Sequence, residues 1–173
     1  MSSLQVIKIQ AEYIQQKDAK EFALGDVLDV KTSVFLAVIV FLAAQSDAFF
    51  HATPALSPWA LRLQYISVSA LILAGVFAVL ELIPRYYSTE TSPEQEEKWV
   101  QEVETYYADK PDAANLVLEE ILKGRYQRTK ERVQENIAVN KRKSWMLTWC
   151  FRFTSIAFAA NLATLASRLF RLF

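Results

Sequence analysis

The chain has one histidine, His51, and one cysteine, Cys150, and these two counts bound the chemistry open to it. A zinc site needs several sulfur or imidazole ligands, and a disulfide needs two thiols, so neither can be built within one chain. A histidine-based catalytic pair would have to use His51, which lies in a short loop between apolar runs. No Walker loop, GxSxG or HExxH pattern occurs. The expectation is no catalytic residue, no metal ligand and no cofactor: the chain is not read as an enzyme.

The remaining reactive groups are charged, and they are sorted along the chain. Between Glu94 and Glu120 lie nine acidic residues and two lysines; between Lys123 and Lys143 lie eight basic residues and two acidic ones. Lys123, Arg125, Arg128, Arg132, Lys141, Arg142 and Lys143 therefore form a candidate basic surface for an anionic partner. The competing and favoured expectation is that adjacent acidic and basic helices neutralise each other. One nuclease pattern can be tested here. The helical ribonucleases of the HEPN type use Arg-x4–6-His, but no histidine follows Arg125-Tyr126-Gln127-Arg128, so that base is absent. Direct nucleic-acid binding is not expected.

A third group is polar residues inside apolar stretches: Gln45, Asp47, Ser67, Ser69 and Asn161. Such residues usually face a bundle interior or a water-filled cavity. Gln45, Asp47, Ser67 and Asn161 are the pore-lining candidates, and Asp47, repeated around a ring, would concentrate cations at a pore mouth. Its competing role is an outer-interface residue facing headgroups.

The elements that must position these groups are helices. Leu63–Leu80 is eighteen residues without charge, long enough for a membrane span and too long for a lone strand. Trp59 and Arg62 flank one end, and Glu81, Pro84, Arg85, Tyr86 and Tyr87 the other. The full helix is expected from Trp59 to Ile83. Thr32–Phe50 is the first span, and His51–Pro58, with two prolines, joins the two. Residues 1–30 form an amphipathic helix and 31–84 a two-helix transmembrane hairpin. Residues 85–143 form a charged helical hairpin, with Ser92 as cap, Pro93 at the first position and Gln95 at the third. Its first helix runs to Tyr107, a turn covers Ala108–Pro111, and Asp112 opens a second helix through Asn140. Residues 144–173 return to apolar character. They form a third span or an interfacial helix, spanning being favoured. Arg152 would cost about 2.5–3.5 kcal/mol at the bilayer centre but sits near the start, where it can snorkel.

Lys31, Arg85 and Lys141–Lys143 flank the spans on one side, while the loop between the first two has no Lys or Arg. That bias places the N-terminus and the hairpin in the cytoplasm of a multi-pass inner-membrane protein. Arg168 and Arg171 argue mildly against a C-terminus outside. Ala70, Ala74 and Ala78 recur at every fourth position with Gly75 beside them, as do Ser155, Ala159 and Ala163. Small residues at that spacing let membrane helices approach closely, either within one subunit or as a seam between subunits.

Asp29-Val30-Lys31-Thr32 leads directly into the first span, and Tyr126–Trp145, a polar helix with Asn136, Asn140 and Lys143, feeds the last apolar segment. This layout resembles the Pycsar transmembrane effector domain and, in style, the two-span SLATT effectors of bacterial antiviral defence. The membrane accessory proteins associated with Cas13b nucleases are similar in size and plan. The resemblance implies a pore-forming or membrane-disrupting effector, homo-oligomeric in the inner membrane, with the bilayer, its own copies and a cytoplasmic defence sensor or nuclease as partners. The alternative is a non-conducting scaffold that recruits a cytoplasmic partner through the hairpin.

Overall fold

The computed structural model describes residues 3–51, 57–83, 87 and 91–170. Every element among them is helical: α1 (Ser3–His51), α2 (Pro58–Leu82), α3 (Pro93–Tyr107) and α4 (Ala113–Leu169). The expected amphipathic helix and first span are one 49-residue helix. The expected second hairpin helix and terminal apolar helix are likewise one helix, of 57 residues. The reason is local: α1 contains no proline and a single glycine, Gly25, and α4 no proline and only Gly124, so nothing breaks the backbone ladder.

The short helices begin as their residues dictate. Ser57 caps α2, its Oγ accepting from the Ala60 N–H at 3.1 Å, with Pro58 in the first turn. Ser92 caps α3, its Oγ accepting from the Gln95 N–H at 3.3 Å, ahead of Pro93. A proline there forfeits no hydrogen bond, because first-turn N–H groups have no intrahelical partner. Asp112 enters α4 at φ 66°, a left-handed conformation that a short polar side chain tolerates. Its Oδ1 accepts from Asn115 Nδ2 at 2.7 Å.

The chain divides into two units, residues 1–24 with 85–140 and residues 25–84 with 141–173. The first unit packs the opening turns of α1, all of α3 and the first part of α4 around Ile14, Val103 and Val133. Its close point is Gly124, where a Cβ would stand 2.6 Å from a Trp99 ring carbon. Arg128 lies over that same ring, 4.1 Å from its centroid. The second unit packs α1, α2 and α4 around Ile39, Leu42, Leu71, Ala74, Ala78, Cys150 and Ala157.

The buried positions of the second unit share one spacing. On α2 they fall at 60, 64, 67, 71, 74, 78 and 81, with 70 adjoining; on α1 at 25, 28, 32, 39, 42 and 46; on α4 at 143, 146, 150, 154, 157, 161 and 164, with 160 adjoining. Steps of three and four alternate, or skip one member, which is the 3.5-residue repeat of left-handed supercoiled helices.

Candidate functional site

The inward stripe of the second unit is more polar than its outer surface. Gln64, Ser67 and Glu81 share the α2 stripe with three alanines, Thr32 and Ser46 lie on α1, and Lys143, Thr154, Asn161 and Thr164 lie on α4; all are buried. Val34, Val40, Phe41, Tyr65, Ile72, Val79, Phe151 and Phe158 are exposed instead. Thr154 and Thr164 donate to the carbonyls one turn back, of Cys150 and Ala160, and need no other partner.

Asn161 organises one cluster. Its Oδ1 accepts from Ser46 Oγ, Gln64 Nε2 and Ser67 Oγ, each at 3.1 Å, so one carbonyl ties α1, α2 and α4 together. Ser67 Oγ also lies 3.2 Å from the Ala157 carbonyl, and 3.4 Å from Ser46 Oγ. Gln64 Oε1 and Asn161 Nδ2 are buried without a partner. The aromatic counterpart is Phe77 of α2, in ring contact with Trp145, Trp149 and Phe153, which follow one another at i, i+4 and i+8 on α4.

A second cluster sits on the stripes of the same unit. Lys143 Nζ donates to Asp29 Oδ1 at 2.5 Å. Glu81 is wholly buried, with Thr32, Asp29 and Lys143 around it, and neither of its oxygens makes a hydrogen bond of sound geometry. The two stretches that carried the resemblance, Asp29–Thr32 and Tyr126–Trp145, therefore meet here through Lys143.

Of the four pore-lining candidates, the structure brings Ser67 and Asn161 together inside the subunit and leaves Gln45 and Asp47 on the surface of α1. Asp47 is 75% exposed, with His51 Nε2 3.5 Å from its Oδ1, one turn along the helix. Ala70, Ala74 and Ala78 are consumed in packing within the subunit, so they do not offer a seam. The cause is register: 74 and 78 lie on the inward stripe, and 70 adjoins it. Gly75 lies on another face, where a Cβ would meet nothing within 4 Å. Ser155, Ala159 and Ala163 are exposed.

The basic surface is largely paired. Arg125 Nε and Arg128 Nη2 share the Glu96 carboxylate at 2.7 and 2.9 Å. Arg132 Nη2 reaches Asp18 Oδ2 at 2.6 Å, Lys123 pairs with Glu119 on its own helix, and Lys143 is buried against Asp29. The hydrogen bond from Lys123 to Glu119 raises the lysine above its ordinary range. Only Lys141 and Arg142 of the set stand exposed with no ion pair, among the described residues. A cavity of about 250 Å³ in the first unit is lined by Arg125, Arg128 and Arg132 with Gln15, Thr91, Glu96 and Thr129, the arginines being turned toward carboxylates. Asn140 of that unit donates to the Glu21 carbonyl and carboxylate at 2.8 and 2.9 Å and accepts from Tyr87 Oη at 2.9 Å.

At the other end of the second unit Arg168 donates to the Phe49 carbonyl at 3.2 Å, where a cation meets the unpaired carbonyls of a helix C-terminus. Arg171 lies outside the described residues, as do Pro84, Arg85, Tyr86 and most of the His51–Pro58 loop. No group of three or more His, Cys, Asp or Glu able to hold a metal occurs among the described residues.

None of Glu81, Thr32, Gln64 and Ser46 was expected as a site residue: Glu81 entered only as a flank of the span, Thr32 only as the end of the Asp29–Thr32 stretch and Ser46 only as a polar residue near the end of the first span. One signal was present for Glu81: it stands three and seven residues after Ala78 and Ala74, on the same stripe. Fold and site together define an all-helical protein with two helices, within Gln5–His51 and Pro58–Leu82, long and apolar enough to cross a membrane. No family model, curated protein or solved structure matches the chain.

Proposed function

We propose that the chain is an integral membrane protein that acts in the bilayer as an assembly of copies, opening a pore or lesion, as the antiviral effectors it resembles are expected to do. The observation that carries this reading is the inverted polarity of the second unit. Its exposed surface presents valine, isoleucine, leucine and aromatic side chains from all three helices, while glutamine, asparagine, glutamate and lysine lie inside. An apolar surface of that extent suits lipid and not water, and polar groups in lipid are driven to find partners within the protein. The 25 residues of α2 span roughly 37 Å at about 1.5 Å each, enough for a hydrocarbon core of about 30 Å. The apolar part of α4 packs beside α1 and α2 through Cys150, Ala157 and Asn161, which favours a third span over an interfacial helix. The basic flanks support an orientation with the N-terminus and residues 85–143 on the cytoplasmic side of the inner membrane.

Ser67 and Asn161 are spent inside the subunit, so a pore wall would draw on Gln45 and Asp47. The seam would draw on Ser155, Ala159 and Ala163, small residues exposed on α4. Purified protein reconstituted in vesicles should release an encapsulated dye, and Asp47→Asn should change the cation preference of conductance in planar bilayers without reducing assembly. A monomer in detergent together with silent bilayers would sink the reading.

A second reading is favoured by the burial of Ser67 and Asn161 inside the subunit: a non-conducting anchor whose cytoplasmic helices recruit a defence sensor or nuclease. Intact vesicles, with a partner retained by residues 85–143 in the full chain, would select it.

A further inference from the structure

Glu81 is 0% exposed and both of its carboxyl oxygens lack a hydrogen-bond partner. Thr32, also 0% exposed, lies beside it on α1, and its Oγ1 is likewise unpartnered. Three oxygens from two facing helices therefore converge on one buried spot, and the Thr32 hydroxyl, the one donor among them, faces the carboxyl without a hydrogen bond of sound geometry. The titratable groups facing that spot are Asp29 from α1 and Lys143 and Cys150 from α4. Lys143, 4% exposed, gives its ammonium to Asp29 at 2.5 Å. Among the described residues, two carboxyl groups thus share one cation, and the cluster is short of a single positive charge. A carboxylate short of countercharge in a buried site is costly, which favours its neutralisation by one further positive charge.

We propose that the Glu81–Thr32 site binds one exchangeable positive charge, a proton or a monovalent metal cation, within the apolar bundle. A divalent ion does not fit the count, because the deficit is one and an ammonium already occupies the neighbouring carboxylate. The Thr32 hydroxyl can serve either occupant, donating to the carboxyl or offering a lone pair to a metal. The site stands on the packing of the second unit and does not depend on the pore reading. Occupancy would hold α1 and α2 together where their stripes are polar, and emptying it would leave a bare carboxylate to push them apart.

The full chain in detergent tests this in two arms. Infrared difference spectra over a pH series should contain the carbonyl stretch of a protonated carboxylic acid that is lost in Glu81→Gln, if the occupant is a proton. Melting temperature in sodium or potassium chloride against choline chloride, at matched ionic strength, should rise with the metal salt and cease to respond in Glu81→Gln, if it is a metal cation. Should Glu81→Gln fail to fold, Thr32→Val takes its place: a shifted infrared midpoint or a weakened salt response supports the site. Wild-type protein with neither the band nor the salt response overturns the proposal. So does a band or response unchanged by Glu81→Gln or by Thr32→Val.

Discussion

Arg132 Nη2 and Asp18 Oδ2 meet at 2.6 Å, joining α4 to α1 across 114 residues of sequence, and each side chain is only 10% exposed. Breaking a buried pair from one side leaves the other charge uncompensated, at a cost of about 3–5 kcal/mol. Asp18→Ala should therefore lower the thermal stability of the first unit strongly, whereas loss of an exposed, solvent-screened pair such as Lys123–Glu119 should change it little. Urea unfolding followed by tryptophan fluorescence, with Trp59, Trp145 and Trp149 replaced by phenylalanine so that Trp99 alone reports, distinguishes the two. Equal losses from Asp18→Ala and Glu119→Ala would contradict the buried pair.

The α3–α4 contact should depend on the absence of a side chain at 124. An added methyl would lie 2.6 and 2.8 Å from two Trp99 ring carbons, so the ring must move and its stacking with Arg128 must loosen. Gly124→Ala gains about 1 kcal/mol of helix propensity and loses about 1–3 kcal/mol to overpacking. The expected net is a loss, with a red-shifted Trp99 emission. A stabilised variant with unchanged emission would show that the ring has room.

Asn161 supplies one carbonyl to three donors, so its removal should cost more than any single hydroxyl. Asn161→Leu strands the Gln64 amide and leaves Ser46 only the Ser67 hydroxyl at 3.4 Å, while Ser67 keeps the Ala157 carbonyl at 3.2 Å; an unsatisfied buried group costs about 1–3 kcal/mol before relaxation. Ser46→Ala deletes one donor and leaves the acceptor served by two others, and should cost under about 1 kcal/mol. Thermal stability of the two variants in the same detergent should rank them in that order; a reversed order would remove Asn161 from the centre of the cluster.

The two small-residue ladders should respond differently to the same change. Ala74 is fully buried inside the subunit, so Ala74→Leu should lower stability itself, by about 1–3 kcal/mol or more. Ala159 is exposed, so Ala159→Leu should leave the melting temperature unchanged and reduce the oligomer resolved by native mass spectrometry. An oligomer indifferent to Ala159→Leu would place the seam elsewhere.

Helix content and the cap at Ser92 were legible because those signals are local: apolar run length, a proline in the first turn and an oxygen before it; Ser57 and Pro58 carry the same signal, within the stretch expected as the loop before Trp59. The separation of a charged helical part from an apolar one was legible in composition. The continuity of α1 and α4 was written there too, as the absence of breakers, although the change from polar to apolar character drew attention to boundaries the backbone does not make. The facing of the stripes was not legible. Hydrophobic periodicity assumes that apolar residues point inward, and in the second unit the inward stripe contains Gln64, Ser67, Glu81, Lys143 and Asn161 while valine and phenylalanine point out. The spacing of four between Ala70, Ala74 and Ala78 suggested an external seam, yet the true repeat is 3.5 residues and uses those alanines inside. Which carboxylate meets Lys143, which hydroxyl lies beside Glu81 and which amide gathers three donors depend on the register of three helices, drawn from positions 49 to 115 residues apart. Only tertiary packing sets that register, because no local interaction along the chain distinguishes one alignment of two long helices from the next turn.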